Sequence, residues 1–232
     1  MKRYDLPAGP AELFEAVCEV FGSHLGGEHR MRLGGGTALA VRWAHRHSAD
    51  VDLFTDEKSC RRLWECRDAF RRAIERRAGP AEILTVRHWQ TMIVLRGGEI
   101  TLRHSRPWTG EHSADTVRGT SVPLETNAEI LAKKLSGRTD DSRKLLARDL
   151  YDFAVARHHD PAAVKAAMKT LDVPDLRQLQ HELQSLPEGW FQRSGQDALV
   201  RPAYPEEAKD PAPSVADQLR REILSRERQC ST

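Results

Sequence analysis

Long apolar runs are missing from this 232-residue chain. No stretch approaches the ~20 residues that a membrane-spanning helix needs, so no such helix is expected. The N-terminal MKRYDLPAGPAELFEAV has no apolar core of the signal-peptide kind, and the expected location is the cytoplasm. Cysteine is scarce: Cys18, Cys60, Cys66 and Cys230 include no pair at CxxC spacing. A structural zinc site is therefore not expected, nor is a disulfide framework at this length. Cys18, Cys60 and Cys66 fall in helical patterns and read as buried free thiols. The ten histidines lack His-x-x-x-His spacing, which leaves them surface or structural roles. An excess of one charge is missing too. Lys plus Arg is 36 and Asp plus Glu is 34, which excludes a generally basic nucleic-acid coat. What is present is 39% hydrophobic residues with a net charge of +2, the balance of a globular chain rather than a disordered one. The length allows one large or two small domains around a sizeable core.

Periodicity divides the chain. Pro10 to Phe21 reads as a helix and Arg30 to Leu33 as a short strand, broken by Gly34, Gly35 and Gly36. Thr37 to Ala44 reads as a helix and Ala49 to Thr55 as an alternating strand. Cys60 to Arg77 is one expected helix, followed by strands at Ala81 to Val86 and Thr91 to Leu95. Gly97-Gly98 turns the chain into a strand at Ile100 to His104, and Val117 to Leu124 is a last expected strand. After Pro123 the pattern is helical: Asn127 to Ser136, Ser142 to Arg157, Pro161 to Leu171, Pro174 to Leu186 and Pro213 to Gln229. Four prolines between Pro202 and Pro213 mark a strap. The expected organisation is an α/β core over residues 1–122, a helical domain over 123–200, and a strap with an amphipathic helix over 201–232.

Chemistry concentrates in LGGGTALAVRWAHRHSADVDLF, Leu33 to Phe54. Strand periodicity of two sends Asp50 and Asp52 to one side. Two carboxylates on one face repel unless a cation sits between them, and oxygen-only ligands suit Mg²⁺ or Mn²⁺. Upstream, the glycines let backbone N–H groups approach a phosphate where a helix begins at Thr37. A triphosphate on this turn would share its metal with Asp50 and Asp52. Ser48 would cap a turn or bond the phosphates. Arg46 would join the nucleotide-binding residues and balance the acidic strand, or lie in a surface salt bridge.

A second group lies on helices. In NAEILAKKLSG, Ala128, Leu131 and Leu135 make the buried stripe, and Lys134 falls beside it. In the next helix Leu146, Leu150 and Phe153 make the stripe, Asp149 lies beside it and Asp152 further round. An inward Lys and an inward Asp are costly unless paired. They form either a structural Lys134–Asp149 bridge or a cleft pair in which Lys134 neutralises triphosphate charge and Asp149 orients a group or takes a proton.

The pattern GGTAL followed by HR-x-S-x-D-x-D-L-F, Gly35 to Leu39 and His45 to Phe54, resembles the nucleotidyltransferases of the AbiEii/AbiGii toxin family. AEILAKKL…RDLYDF, Ala128 to Phe153, resembles that family's second motif region. The resemblance implies an α+β chain with a polymerase-β-like nucleotidyltransferase core, a small mixed sheet with flanking helices, followed by a helical C-terminal region. It implies metal ligation by Asp50 and Asp52. It places nucleotide phosphates at Gly35, Gly36, Thr37 and Ser48, with Lys134 and Asp149 in the cleft. It also implies transfer of a nucleoside monophosphate from an NTP to the 3′ end of tRNA, by a toxin neutralised by an antitoxin. One departure stands out. The strand that carries a third carboxylate in many nucleotidyltransferases here offers Thr101, Arg103 or His104, with Glu99 just before it. Glu99 or Asp149 substitutes, or the site is altered.

An RNA acceptor needs a basic face. Lys58 to Arg77 supplies one, with eight basic against three acidic side chains, although a solvated helix back would look the same. Two other classes remain open: adenylylation of a protein hydroxyl, and a binding module with a decayed site.

Overall fold

The computed structural model describes residues 1–110, 113–139, 146–195 and 201–230. The chain divides into two compact units. Met1–Arg42, Ser48–Arg106 and His112–Glu125 make the first, and Trp43–His47, Pro107–Glu111 and Thr126–Thr232 the second.

In the first unit, β1 (Arg3–Tyr4) is followed by α1 (Ala8–Leu25), a 3₁₀ turn (Glu28–Arg30), β2 (Arg32–Leu33) and α2 (Gly35–Trp43). Then come β3 (Val51–Thr55), α3 (Glu57–Glu65), α4 (Arg67–Ala78), β4 (Ile83–Val86), β5 (Gln90–Leu95), β6 (Gly98–His104) and β7 (Thr116–Val117). The five-stranded sheet runs β2-β3-β6-β5-β4. β3 and β6 are parallel and the other neighbours antiparallel, so the sheet is mixed. The parallel pair needs a long crossover, which α3, α4 and the β4–β5 hairpin supply. Register pairs Val51 with Ile100 and Leu53 with Leu102, all four buried on one face. Leu13, Phe14, Val17 and Phe21 of α1 complete that core with Phe70 and Ile74, and Phe21 meets Phe70 at 5.1 Å. The opposite face carries Asp52 beside Thr101.

The single helix expected over Cys60 to Arg77 is two. Asp56 caps α3 through the Ser59 amide at 2.8 Å, and the helix path breaks at Cys66 (φ −103°, ψ 20°). Cys66 still donates to Arg62 and accepts from Phe70, so the break sacrifices no backbone hydrogen bond there. The strand expected over Val117 to Leu124 shrinks to β7, which pairs in parallel with β1, while Pro123 and Leu124 make only isolated bridges. β1 had no legible signal, being two residues long.

The second unit is helical: α5 (Asn127–Thr139), α6 (Ala147–His159), α7 (Pro161–Met168), α8 (Val173–Gln184), α9 (Trp190–Gly195), α10 (Pro205–Lys209) and α11 (Ala212–Cys230). Asp160 caps α7 and Asp172 caps α8, each with proline in the first turn. The helix expected from Ser142 starts at Ala147, after an extended Leu146; residues 142–145 lie outside the described ones. α6 buries nearly every residue from Ala147 to Ala156. The Pro-rich strap contains α10 and is fastened to α6 by Tyr204, whose hydroxyl bonds His159 at 2.7 Å, and by Glu207, which bonds His158 at 2.9 Å. Among the described residues no helix is long and apolar enough to cross a membrane. The α+β architecture, a small mixed sheet with flanking helices followed by a helical region, is the one expected.

Candidate active site

In the first unit the glycine turn backs directly onto the acidic strand. α2 starts at Gly35, two residues earlier than expected, so Gly35, Gly36 and Thr37 form its first turn. The N–H groups of a first helical turn have no intrahelical partner. Ala38 makes the first such bond, to Gly34, and among the described residues no hydrogen bond occupies the N–H of Gly35, Gly36 or Thr37. Gly34 N–H donates to the Asp52 carbonyl at 2.9 Å, which seats the turn on β3. Gly35 adopts φ +63°, and a Cβ there would collide with the Asp52 carboxylate, nearest its Oδ2. Glycine is required at this position both by backbone conformation and by the approach to the acid.

The two oxygens of Asp52 have separate surroundings. Thr101 Oγ1 donates to Oδ1 at 3.0 Å, while Oδ2 faces the space that Gly35 leaves open. Asp50 sits one residue ahead of β3 and is exposed. Burial alternates through Asp50, Val51, Asp52 and Leu53, which continues the strand pattern back to Asp50. Thr37 Oγ1 lies 2.5 Å from the Asp50 carbonyl and 2.9 Å from Ser48 Oγ. A hydroxyl has one proton and a carbonyl only accepts, so Thr37 donates to Asp50 and takes the Ser48 proton. Thr37 and Ser48 thus tie the first turn of α2 to the segment leading into β3.

The β6 residue beside Asp52 is Thr101, not an acid. Glu99 lies on the same sheet face two residues away. Among the described residues no three His, Cys, Asp or Glu side chains gather as a metal site.

The other expected residues meet in the second unit, around Asp152. Its carboxylate takes Arg46 through two hydrogen bonds, Nε to Oδ1 at 2.6 Å and Nη2 to Oδ2 at 2.9 Å. His45 Nε2 donates to Oδ1 at 2.7 Å, and Lys134 Nζ lies 3.0 Å from Oδ2. Lys134 also bonds Asp149 Oδ1 at 2.5 Å. His45 and Asp152 are 0% exposed. Among the described residues the Asp149 and Asp152 carboxylates each meet a cation, as a buried charge requires. Burial alone would raise the Asp152 pKa, but Lys134, Arg46 and His45 together hold it well below the usual carboxylate range. Burial lowers the Lys134 pKa; Asp152 opposes that shift and Arg46 adds to it. Tyr151 donates to the His45 carbonyl at 2.9 Å, and Ala203 N–H bonds the same oxygen at 2.7 Å.

The structure thus sorts the expected residues into two groups. Gly35, Gly36, Thr37, Ser48, Asp50 and Asp52 belong to the first unit, and Arg46, Lys134 and Asp149 to the second. Arg46, expected at the nucleotide and the acidic strand or in a surface salt bridge, is buried on Asp152. Sequence reasoning noted Asp152, His45 and Thr101 but gave none of them a role. A signal for Asp152 was present: in LARDLYDFAVA it is flanked by Tyr151, Phe153, Ala154, Val155 and Ala156, so an acid buried there needs a partner.

Residues 20–105, a little over a third of the chain, match the family model of the nucleotidyl transferase AbiEii toxin of type IV toxin–antitoxin systems. That stretch holds the glycine turn, both aspartates and the whole five-stranded sheet. No curated protein matches the chain. Among solved structures, JHP933 from Helicobacter pylori superimposes with a TM-score of 0.56 at 15% identity, over 97% of this chain and 98% of that one. A second H. pylori protein, described as a candidate nucleotidyltransferase, gives 0.56 at 15% identity over 93% and 95%. At such identity these two establish the shared fold. The resemblance read from GGTAL and HR-x-S-x-D-x-D-L-F is borne out: residues 20–105 match the AbiEii nucleotidyltransferase toxin model, and the fold is shared with the two H. pylori proteins.

Proposed function

We propose that the protein moves a nucleoside monophosphate from an NTP to the 3′ end of tRNA with a divalent metal, in the cytoplasm, as a toxin held in check by an antitoxin. The observation that carries the reading is the approach of the Gly35 turn to Asp52. Uncommitted N–H groups and a carboxylate stand side by side, with a missing side chain between them. An NTP satisfies both, because its phosphates take the N–H groups and share a cation with the acid.

The donor set fits that cation. Mg²⁺ commonly takes one or two carboxylates and completes its shell with water and substrate phosphates, so Asp50 and Asp52 suffice without a third acid. Mn²⁺ accepts the same oxygen ligands. Asp50 and Asp52 would hold the ion, which when bound would draw negative charge off the phosphate oxygens. The chain's own groups do the rest. The Gly35, Gly36 and Thr37 amides would bind phosphate oxygens at the positive end of α2. Thr101 would keep Asp52 turned so that Oδ2 serves the site. Ser48, whose proton is engaged by Thr37, would fix the turn and not donate to phosphate itself. In the transfer the acceptor oxygen bonds to the α-phosphorus as the bond to the bridging oxygen breaks. Pyrophosphate leaves, and the acceptor proton passes to solvent or base. Lys134 already faces two carboxylates, so neutralising triphosphate charge would require it to release one. We therefore give Lys134, Asp149 and Arg46 the task of holding the second unit together.

The test is incubation of the protein with each labelled NTP, Mg²⁺ and total RNA. Label on tRNA is the expected result, and Asp52→Asn should cut it by about a hundredfold or more, the scale of losing one charge-stabilising group. Label on protein would point to adenylylation. Absence of label with every acceptor would overturn the reading. Expression with and without its genomic neighbours tests the toxin role: arrest of growth is expected only without them.

A further inference from the structure

Two tryptophans of the first unit stand out of the core although they have a core beside them. Trp64 on α3 is 43% exposed and Trp89 in the β4–β5 turn is 45% exposed, while Leu63, Phe70 and Ile74 fill the interior. Each indole carries an arginine: the Arg67 guanidinium lies 5.4 Å from the Trp64 ring and that of Arg87 5.9 Å from the Trp89 ring. The β4–β5 turn that carries Trp89 lies against α3, which carries Trp64. Cys60 Sγ donates to the Trp89 carbonyl at 3.7 Å, and Trp64 follows Cys60 by one helical turn. Arg71 Nη2 donates to the Leu84 carbonyl of β4 at 3.0 Å, beside an exposed Ile83. Among the described residues Arg67, Arg71 and Arg87 lie in no salt bridge, so no described carboxylate pairs with them.

We infer that this face, formed by α3, α4 and the β4–β5 turn, binds single-stranded RNA by stacking unpaired bases on Trp64 and Trp89 while Arg67, Arg71 and Arg87 take the phosphates. The choice of RNA rests on the RNA-acceptor reading above; the platform and the residues that form it do not. An arginine beside an indole offers a cation next to an aromatic face, which is what a nucleotide's phosphate and base require together. An acidic protein would use the arginines and leave the indoles without matching partners. A duplex would offer phosphates with its base faces already stacked.

Fluorescence anisotropy of the full chain with a labelled single-stranded RNA oligonucleotide, and with the duplex of the same sequence, tests this. The double variant Trp64→Ala/Trp89→Ala should weaken single-strand binding by about a hundredfold, about tenfold for each stack. Trp64→Phe/Trp89→Phe, which keeps a ring at each position, should restore most of it. The single strand should bind more tightly than the duplex, quench tryptophan emission, and lose affinity steeply with salt. The inference falls if the alanine variant binds as the wild type does, if the duplex binds as tightly, or if polyglutamate displaces RNA at equal charge. Nucleotide transfer, followed by pyrophosphate release, separates this from the catalytic reading. Ring-dependent binding without transfer by the wild type would sink the transferase and leave the platform standing. Transfer with ring-independent binding would do the reverse.

Discussion

Gly35→Ala is the sharpest perturbation of the proposed site, because one methyl group tests backbone and chemistry together. At φ +63° an L side chain costs about 1–2 kcal/mol. The usual entropic gain of Gly→Ala in the unfolded chain offsets less than half to most of that, ~0.4–1 kcal/mol. The new Cβ would also overlap the Asp52 carboxylate, with Cβ and Cγ of Asp52 both 2.9 Å away. Asp52 cannot turn freely, since Thr101 holds Oδ1 at 3.0 Å and Gly34 N–H holds its carbonyl at 2.9 Å. Either the carboxylate leaves Thr101 or the start of α2 moves by roughly 1 Å, a misplacement on the scale that costs an enzyme about 10²-fold in rate. The expected outcome is a stability loss of about 1–2 kcal/mol by urea unfolding, and a hundredfold loss in the initial rate of nucleotide transfer. Gly9→Ala is the control: it lies in the first turn of α1 with nothing within 4 Å of the added Cβ, and should leave the rate untouched. A Gly35→Ala protein that loses stability but keeps its rate would show that the glycine shapes the turn and nothing more.

Asp152→Asn should destabilise the fold by about 3–5 kcal/mol, because Arg46 and Lys134 would remain buried with one carboxylate fewer; a loss under about 1 kcal/mol in urea would refute the hub. The same residue sets an acid dependence. Its folded pKa lies well below the unfolded value, so its contribution is complete above the unfolded value and is lost as pH falls through the folded one. Urea midpoints between about pH 6 and pH 3 should therefore fall more steeply for the wild type than for Asp152→Asn. Burial pushes the Cys60 thiol up to about 12 and raises Cys18 as well, so in a Cys230→Ser background iodoacetamide at about pH 8 should label Cys66 alone, as mass spectrometry of the native protein would show.

Elements with a long one-sided pattern were legible, and those defined by a partner strand were not. α1 shows Leu13, Val17 and Phe21 at turn spacing, and β3 alternates over five residues, so both could be read with small errors at their ends. β1 and β7 exist because they pair with each other, 113 residues apart, and two residues carry no periodicity. The break at Cys66 was hidden for a different reason. Leu63, Cys66, Phe70 and Ile74 keep helical spacing across it, so the apolar stripe continues through a change of direction.

The candidate site divides along the same line between what cost alone predicts and what contact decides. A charged residue beside an apolar stripe must have a partner, and that reasoning singled out Lys134 and Asp149, which do bond each other. It could not supply Arg46 and His45. The chain joins the second unit for only the five residues Trp43–His47, in a stretch too short and too polar to show a buried face. Thr101 marks the opposite case. The resemblance led to a search for an acid on β6, and a threonine there looked like a gap. Its hydroxyl instead fixes one oxygen of Asp52 and leaves the other toward Gly35. A third carboxylate in that position would face the Asp52 carboxylate, whereas the Thr101 hydroxyl donates to Oδ1 and sets its direction. In the proposed two-aspartate site, Thr101 would therefore act as a positioning residue, and its place on β6 would be no gap.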